Sequence, residues 1–402
     1  MILEGIRIID WGQWAQEPAA AYFLGDLGAE VIKVEERGKG DAIRRQKTRY
    51  GQSLIAGGDK EVEFELIGRN KKSLAIDLKK EEGKKIFYQL AKESDVLLTN
   101  FRQKAIDKLG LDYDTVSQYN QRLIYVSASA YGKEGPEKDA GLYDLLGVAR
   151  SGAMMAAGEE GMVPIRIPIS MADMISAVIM AYAALAALLM RERKGIGQHI
   201  DVSQFGSMIA ILNWNIWLES LGVKIPRVTR SETQNPTYNY YRCKDGRWIV
   251  LGALELQHWL RLCKVPGLEA LEKDSRFESA EKREANNKEL IHVLDEFFAS
   301  KMSKECEKLL REVDIPCSPI NRFEDLFSDP QVIANKYIED FDHPTLGKVK
   351  VPGVGLNIKF SKTPASIRMW APELGQHNEE VLTEILGYSR DDIARLRAEE
   401  VI

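Results

Sequence analysis

One aspartate stands out because of its surroundings. Asp173 lies near the start of the run MADMISAVIMAYAALAALLM at 171–190, which is otherwise uncharged. The prolines and isoleucines of 164–170 favour extended chain, so Asp173 falls near the start of a predicted helix. Free backbone N–H groups and the helix dipole stabilise an anion there. Asp173 is therefore either a helix N-cap, as most such residues are, or a carboxylate nucleophile held at a turn.

The positions of histidine and cysteine narrow the available chemistry. All of them lie at or after position 199, namely His199, His258, His292, His343, His377, Cys243, Cys263, Cys306 and Cys317. The first half of the chain cannot build a Ser-His or Cys-His pair or a His-ligated zinc. A carboxylate is the natural nucleophile that remains, with Lys and Tyr still open. The sequence predicts no metal site.

The composition is that of a soluble protein. Apolar residues make up 45% and charged residues 29%. The net charge of −5 provides no positive field for nucleic acid or an anionic membrane. Scattered cysteines without a CxxC pair, and a start without a secretory signal, indicate a cytoplasmic protein. We interpret the apolar segment 174–190, at the lower limit for spanning a bilayer, as a buried core helix.

Alternating segments predict the fold of the first 220 residues. Strands are predicted at 6–10, 30–35, 73–77, 96–99, 123–127 and 199–203, and helices at 18–27, 81–94, from 173 onward and from 203 to about 218. That alternation predicts an α/β fold whose parallel sheet carries helices on both faces. Such sheets bind ligands beyond the carboxyl ends of their strands, where Asp10, Glu35 and Asn100 lie.

The pattern changes after position 220. A polar stretch at 222–235 predicts a linker, and the large α/β domain is placed at 1–220. A hairpin turning at Asp245-Gly246, followed by helical segments at 281–298 and 303–313, predicts a small α+β domain at 225–335. Residues 336–402 are predicted to return to the large domain and to end in a helix that Ser389 and Asp392 start as a capping box.

The basic residues suggest a phosphorylated ligand, although the standard nucleotide motifs are missing. No GxGxxG or P-loop motif occurs, so a nicotinamide or P-loop enzyme is unsupported. Cations cluster in loops after the strands, at Arg37, Lys39, Arg44, Arg45, Arg69, Lys71, Lys72, Lys79, Arg102, Lys104 and Lys108. Most would form a solvated surface, but several of these loops could converge on phosphate groups.

Segments in order along the whole chain resemble the class III coenzyme A transferases, the family of the formyl-CoA and carnitine-CoA transferases. They are LEGIRIID at 3–10, LGAEVIKVE at 27–35, GD at 40–41, NKKSLAIDLK at 70–79, DVLLTNFR at 95–102, LGLDY at 109–113, RLIY at 122–125, YD at 143–144, AD at 172–173, RKGIGQHIDVS at 193–203, IPC at 315–317 and GYS at 387–389. The resemblance implies a Rossmann-like large domain, a smaller α+β domain and an interlocked homodimer.

The resemblance also implies a reaction. Asp173 matches the family's nucleophilic aspartate, which attacks an acyl-CoA thioester to give a mixed anhydride and free CoA thiolate. The thiolate returns to give an aspartyl-CoA thioester, and an acceptor carboxylic acid repeats the cycle in reverse. CoA is then a co-substrate, and neither a permanently bound cofactor nor a metal is implied.

The same resemblance assigns contacts with CoA to eleven positions. They are Trp14, Ala15, Gln16, Arg37, Ile76, Lys79, Asn100, Phe101, Arg102, Lys108 and Tyr143. Structural roles stay open for some of them: Asn100 could end its strand, Phe101 could belong to the core, and Tyr143 could simply pack.

Departures from the family pattern leave the substrate open. Gln103-Lys104 stand where many relatives have Pro-Gly, Val148 replaces a common Gln, and Ala177 replaces a common Gly. The glycine-rich loop of the formyl-CoA branch is not visible, which argues against that substrate. Aromatic residues give a weak indication of an apolar acyl group, at Trp11, Trp14, Tyr22, Trp214 and Trp217.

Two other functions compete with CoA transfer. The α-methylacyl-CoA racemases resemble this chain at the aspartate, but they carry a His where Tyr143 stands here. Tyrosine, with a usual pKa near 10, is a poor base at neutral pH. The other alternative is a CoA-binding protein without catalytic activity, which loss of turnover in an Asp173→Ala variant with normal CoA binding would exclude.

Overall fold

The structure is a computed structural model, and it describes residues 1–166 and 170–402. The described strands are β1 (Arg7–Trp11), β2 (Glu30–Glu36), β3 (Thr48–Arg49), β4 (Gln52–Ser53), β5 (Ile55–Ala56), β6 (Lys60–Glu61), β7 (Lys71–Ile76), β8 (Val96–Thr99), β9 (Ile124–Ser129), β10 (Gln198–Ser203), β11 (Tyr238–Arg242), β12 (Trp248–Gly252), β13 (Cys317–Pro319), β14 (Ile338–His343) and β15 (Gly347–Pro352).

The described α-helices are α1 (Gln16–Asp26), α2 (Val62–Ile67), α3 (Glu81–Lys92), α4 (Gln103–Leu109), α5 (Tyr113–Val116), α6 (Asp144–Arg150), α7 (Met171–Lys194), α8 (Gln204–Ile211), α9 (Asn213–Ser220), α10 (Leu256–Leu262), α11 (Ala280–Ala285), α12 (Asn287–Ala299), α13 (Ser303–Glu312), α14 (Pro330–Asn335), α15 (Asn378–Glu380) and α16 (Arg390–Ala398). Shorter 3-10 segments lie at Ala42–Arg45, Gly57–Asp59, Ala153–Met155, Glu269–Lys273, Phe323–Ser328 and Val354–Asn357, and a π-helical segment at Val381–Ile385.

Contacts divide the described chain into two compact units. The larger unit contains Met1–Gly152, the described part of Ile167–Gly222, and Asn335–Ile402, and the smaller contains Ala153–Arg166 and Val223–Ala334. The sequence had placed 153–166 in the large domain. This segment lies in the smaller unit because Ala157 pairs with Val228 and accepts a hydrogen bond of 2.6 Å from Arg227 Nε.

Six parallel strands form the main sheet of the larger unit, in the order β10-β9-β8-β1-β2-β7. The predicted α/β fold with a parallel sheet is thus confirmed. Side chains alternate across β1: Ile8 packs with α1 and α7, whereas Ile9 and Trp11 pack with α3 on the other face. Helices therefore cover both faces, as a parallel sheet requires.

The last part of the chain lies on the sheet of the larger unit. The backbone N–H of His377 donates to the carbonyl of Ser73 at 3.1 Å, and that of Asp77 donates to the carbonyl of Val401 at 2.8 Å. Ser389 and Asp392 form the predicted capping box, each side chain accepting from the other's backbone N–H at 3.1 Å.

The smaller unit pairs three antiparallel strands with helices. β11 and β12 form the predicted hairpin, with Gly246 at φ +77° in its turn, and β13 pairs with β12. Tyr241, Trp259 and Phe298 lie in its core. The single helix predicted at 281–298 is two helices, α11 and α12, divided at Asn286.

α7 differs from the predicted buried helix. Among residues 1–166 and 170–402 it is the one helix that is long and apolar enough to cross a membrane, judged by length and composition alone. Within the protein, 39% of its most apolar 18-residue window is buried, which is less than a core helix would show. Ala177, Met180 and Ala184 are buried on one face, whereas Tyr182 on another is 72% exposed. One face of α7 therefore packs in the core, whereas the other face forms an exposed apolar surface.

Candidate active site

Asp173 lies in the first turn of α7, and a second helix holds its carboxylate. Gln204 Nε2 donates a hydrogen bond to Asp173 Oδ1, and the Asp173 backbone N–H donates to Asp144 Oδ1 at 3.1 Å. Ser170, and not Asp173, is the N-cap residue of α7. The N-cap interpretation is therefore wrong. The extended segment predicted before the helix falls partly on 167–169, outside the described residues.

Three helix starts meet at this carboxylate. Asp144 is the first residue of α6, Asp173 belongs to the first turn of α7, and Gln204 is the first residue of α8. These three helices pack on one another. Each start presents backbone N–H groups and the positive end of a helix dipole. The arrangement favours negative charge at the Asp173 carboxyl and on any substrate oxygen beside it.

The surroundings nevertheless make Asp173 a weak acid. Burial, together with the negative charge of Asp144, raises the pKa of Asp173 from 3.8 to about 7. The hydrogen bond from Gln204 and the positive charge of Arg49 act in the opposite direction. Near neutral pH the carboxyl therefore exists in both protonation states. A strongly perturbed pKa within a cleft is a typical mark of a functional group.

Asp173 opens into a cleft of about 760 Å³ in the larger unit. Seven of the eleven residues assigned to CoA line it together with Asp173, namely Trp14, Ala15, Gln16, Asn100, Phe101, Arg102 and Tyr143. Most of the predicted site therefore lies at one edge of the sheet, beyond the carboxyl ends of the strands, as expected for a parallel sheet. Within 1–166 and 170–402, no group of three His, Cys, Asp or Glu residues could hold a metal ion.

The loop after β1 forms a rigid wall of this cleft. Trp14 adopts φ +67°, which a bulky side chain rarely does. Asn100 secures the loop by accepting from the Gln13 N–H at 3.0 Å and donating to the Gln13 carbonyl at 2.7 Å. The Trp14 N–H donates to Asp41 Oδ1 at 3.1 Å. Asn100 therefore ends its strand and also holds the wall of the cleft.

A donor group in this wall has no protein partner. The Nε2 atom of Gln16 is buried and makes no hydrogen bond within the described residues. Because an unsatisfied buried amide is unfavourable, a bound ligand that supplies an acceptor would be stabilised here.

A second cavity of about 200 Å³ adjoins the same loop. Gln13 and Phe101 line both cavities. The apolar walls of the smaller cavity are formed by Trp11, Val34, Ile76, Leu78, Phe101 and Leu109, and Lys79 also lines it. The two cavities together contain nine of the eleven residues assigned to CoA, and the smaller one has the size and apolar character that suit a flat ring.

Two assigned residues lie in neither cavity. Arg37 binds the end of the chain: its Nε donates to the Ile402 carbonyl at 3.0 Å, and Nη2 lies 3.7 Å from Glu400. Lys108 lies in the last turn of α4. The structure therefore gives no geometric support to a contact of Arg37 or Lys108 with a ligand in these cavities.

Several residues of the cleft were not predicted from the sequence. Gln204 follows β10 directly, so its position at the carboxyl end of a parallel strand could have identified it. His199 also lines the cleft, with Nε2 2.9 Å from Ser127 Oγ and Nδ1 3.1 Å from Lys133 Nζ. Burial and the Lys133 charge lower the pKa of His199 to about 4, so this imidazole is neutral at pH 7.

Comparison with known proteins shows the family of this chain and agrees with its α/β fold. The model of CoA-transferase family III matches residues 3–378, and the chain belongs to that family. It is 34% identical to the succinyl-CoA:glutarate CoA-transferase of Mus musculus over 401 residues, which cover all of this chain and 90% of that protein. It is likewise 34% identical over 410 residues to an acyl-CoA transferase of Fusarium pseudograminearum (strain CS3096), covering all of this chain and 88% of the other.

A solved structure shows the same fold. The crystal structure of a CaiB/BaiF family protein from Brucella suis superposes with a TM-score of 0.81 at 28% identity, covering 95% of this chain and 98% of the other. The protein is accordingly an enzyme, a transferase that moves CoA between an acyl-CoA and a carboxylic acid.

Proposed function

We propose that Asp173 is the covalent nucleophile of this CoA transfer. The observation that carries the proposal is a carboxylate with a pKa raised to about 7, held by a side-chain amide at the meeting point of three helix starts inside a large cleft. No other carboxylate lining the cleft has this combination among the described residues.

The proposed reaction has four steps. A carboxylate oxygen of Asp173 attacks the thioester carbonyl, and the C–S bond breaks to give a mixed anhydride and CoA thiolate. The thiolate attacks the Asp173 carbonyl and releases the first carboxylic acid, leaving an aspartyl-CoA thioester. The acceptor carboxylate attacks that thioester and releases the thiolate again. Finally the thiolate attacks the acceptor carbonyl, forming the new acyl-CoA and freeing Asp173.

The site suits both halves of this cycle. Each attack develops negative charge on a carbonyl oxygen, and preorganised donors aimed at that oxygen stabilise the transition state. Gln204 Nε2 is the donor that the described residues place at the Asp173 carboxyl, and the starts of α6, α7 and α8 add the positive ends of their helix dipoles. Burial that weakens solvation of the Asp173 carboxylate raises its basicity and so its strength as a nucleophile.

The two cavities divide the CoA molecule in this proposal. The apolar cavity beside Ile76 and Leu78 receives the adenine ring, with Lys79 near its phosphates. The pantetheine arm then passes Phe101 and the Trp14–Gln16 wall, where the buried amide of Gln16 finds an acceptor. Arg102 lines the same path. The thioester thereby reaches Asp173.

His199 is the one observation that favours a racemase. It shares the cleft with Asp173, and a racemase needs two groups that exchange an α-proton with the substrate. A pKa near 4 makes His199 a weak base, and its Nε2 already contacts Ser127. Transfer is therefore the better-supported function.

We also propose a cytoplasmic homodimer, interlocked as the family resemblance implies. The exposed apolar surface on α7, α8 and α9 supports a second copy as its cover, and it includes Tyr182, Leu189, Ile211, Trp214 and Trp217. Trp214 is 74% exposed and Trp217 64%. A patch of such large side chains is unusual on a monomer.

Mass spectrometry tests the nucleophile directly. The protein is incubated with a panel of acyl-CoAs, quenched with hydroxylamine and digested. We expect a hydroxamate on Asp173 from at least one donor, and none in Asp173→Ala. Asp340→Asn is a matched control, because Asp340 lies on the exposed face of β14 and pairs only with Lys350 in the described structure.

The other outcomes separate the alternatives. A hydroxamate on a different carboxylate would overturn the assignment of Asp173. Exchange of the substrate α-proton with deuterated solvent, without any adduct, would favour the racemase. Tight CoA binding with neither signal would indicate a binding protein.

A further inference from the structure

Arg102 and Gly141 lie against each other in the cleft that contains Asp173. Both residues line that cleft. A Cβ atom built on Gly141 would lie 3.0 Å from Arg102 Cζ and 3.4 Å from Arg102 Nε, and closer still to Nη2. The guanidinium of Arg102 therefore occupies the space that any larger side chain at position 141 would need.

The backbone does not explain the glycine at position 141. Its φ is not positive, unlike that of Gly132 and Gly135 in the same loop, at +102° and +89°. The conformation of Gly141 therefore does not require glycine. A methyl group added there would meet the far end of a flexible side chain, so Arg102 would move while the fold stayed intact. Gly141 thus controls where the guanidinium of Arg102 lies.

The guanidinium of Arg102 is available to a ligand. Arg102 is the N-cap residue of α4, but its side chain makes no capping hydrogen bond. Among the described residues it has no ion pair, since the neighbouring Asp139 pairs with Lys104 at 3.0 Å. A guanidinium has five N–H donors in a planar fork that matches phosphate oxygens. An anionic group in this part of the cleft would therefore meet a cation that the protein has left open.

The position of Arg102 in the chain indicates which anionic group it would meet. Phe101, the residue before it, lines both cavities, whereas of these two cavities Arg102 lines the larger one alone. With the adenine ring in the smaller cavity, the part of CoA that passes Phe101 is the diphosphate, which joins the adenosine to the pantetheine arm. Lys79 lines the smaller cavity, at the adenosine end. Arg102 therefore lies at the level of the diphosphate.

The segment that begins at Gly141 also reaches the proposed nucleophile. Asp144, three residues later, is the first residue of α6 and accepts a hydrogen bond of 3.1 Å from the Asp173 backbone N–H. A shift of this segment would therefore disturb Asp173 and lower kcat. A shift of the Arg102 side chain alone would weaken CoA binding and raise KM. The two effects of a change at position 141 can thus be told apart.

We propose that Gly141 is a positioning residue, which leaves the space in which the Arg102 guanidinium lies, and that Arg102 binds the diphosphate of CoA there. The inference rests on the proposed function, because that function places the adenine ring in the smaller cavity and the thioester at Asp173. No bond is made or broken at either residue. The pair favours a donor that carries the diphosphate over one that ends with the pantetheine arm.

Donors that end at different points of CoA test this proposal. One acyl group is presented as its CoA, 3′-dephospho-CoA and pantetheine thioesters to the wild type, Gly141→Ala and Arg102→Met. For both donors with a diphosphate, we expect KM to rise about 30-fold in Arg102→Met and about tenfold in Gly141→Ala, because charge-assisted hydrogen bonds are lost or lengthened. The values of kcat, and the KM for the pantetheine thioester, should change by less than about twofold.

A double variant shows whether the glycine acts through the arginine. Adding Gly141→Ala to Arg102→Met should raise KM little further, because the group that the methyl displaces is already gone. Gly135→Ala is the matched control, since its added methyl would lie in open space and Gly135 is outside the lining of the cleft. It should leave KM unchanged and lower Tm, because its φ disfavours alanine. Gly141→Ala should show the reverse, a raised KM with an unchanged Tm.

Three results would overturn the inference. An equal rise in KM for the pantetheine thioester would show that Arg102 does not recognise the diphosphate. A rise for the CoA thioester alone would assign Arg102 to the 3′-phosphate. A lower kcat in Gly141→Ala, or additive effects in the double variant, would show that Gly141 acts on the loop and on Asp173 and does not act through Arg102.

Failure of this inference and failure of the proposed function give different results. A hydroxamate on Asp173, together with a wild-type KM in Gly141→Ala and Arg102→Met, leaves the nucleophile standing and removes the role of the pair. The absence of an adduct from every donor overturns the nucleophile itself. Calorimetry of CoA binding then still tests the pair, because both variants should bind CoA more weakly than the wild type does.

Discussion

Replacing Asp144 with asparagine should lower the pH at which Asp173 becomes a nucleophile. The pKa of Asp173 is raised from 3.8 to about 7 by burial first and by Asp144 second. The whole shift is about 3 units, or about 4 kcal/mol at 1.36 kcal/mol per unit. Because burial is the larger cause, while Gln204 and Arg49 offset part of it, we assign about 1 unit to the charge of Asp144.

The direction and size of the change in rate follow from the fraction of Asp173 that is ionised. Attack requires ionised Asp173, so the rate rises as the pH rises through its pKa. At pH 6 a pKa of 7 leaves about 9% ionised, and a pKa of 6 leaves about 50%. Asp144→Asn should therefore be about fivefold faster at pH 6. The asparagine keeps an oxygen that can accept from the Asp173 N–H, so the local geometry is preserved.

Release of CoA thiol in a single turnover measures this directly. Wild type and Asp144→Asn are mixed with the best donor across about pH 5 to 9, and the midpoint of the acidic limb is compared. Identical midpoints would refute the electrostatic reasoning. A uniform loss at every pH would refute it in another way, since it would show that Asp144 contacts the substrate and does more than repel Asp173.

Three further changes test the remaining parts of the site. Gln204→Leu should move the acidic limb of the pH-rate profile to higher pH, because it removes a hydrogen bond to the Asp173 carboxylate. It should also lower kcat by about 100-fold, because it removes an oxyanion donor, and pH-rate profiles check both effects. Asp173→Asn should stabilise the folded protein by a few kcal/mol above pH 7, where the native aspartate is ionised at a cost, and the gain should vanish near pH 4; urea unfolding at pH 8 and pH 4 checks this. Leu78→Asp should weaken CoA binding at least about tenfold, because a charge enters the apolar cavity and faces phosphates; calorimetry checks this, with Leu78→Ala as control.

The sequence predicted best what depends on local pattern. The six strands of the main sheet, the hairpin at Asp245-Gly246 and the capping box at Ser389 follow from residue periodicity and turn chemistry, which act over a few positions. Asp173 was identified for the same reason, since it is a charge at the start of a long apolar helix. Its role as N-cap was wrong because Ser170 occupies that position.

The parts that escaped prediction depend on contacts between distant residues. Gln204 reaches Asp173 across 31 positions, and the Ala157–Val228 bridge moves 153–166 into the smaller unit. No local pattern reports such pairings. The β3–β4 hairpin is too short for a periodic signal, and neither the hairpin nor Arg49 was predicted from the sequence.

Asp10 and Asp173 show why residue type and position do not by themselves identify a catalytic group. Asp10 is the penultimate residue of β1, near the ligand edge of the sheet, yet it is fully buried and bonded to Lys33 at 3.1 Å and Lys71 at 2.6 Å. Burial alone would raise its pKa, but the two ammonium groups hold the pKa of Asp10 below its usual value. Burial, together with the negative charge of Asp10, raises the pKa of Glu17, which is buried beside it, well above its usual range.

Two buried lysines beneath the cleft wall thus pair with two buried aspartates: Lys33 with Asp10 and Asp41, and Lys71 with Asp10. Removing one member of a buried ion pair typically costs 3–5 kcal/mol, because its partner stays buried and unpaired. Asp10→Asn should thus destabilise the fold, whereas Asp173→Asn should stabilise it. The two substitutions should therefore change the free energy of unfolding with opposite signs. That difference would distinguish Asp10, which supports the cleft wall, from Asp173, which is kept poorly solvated for reaction.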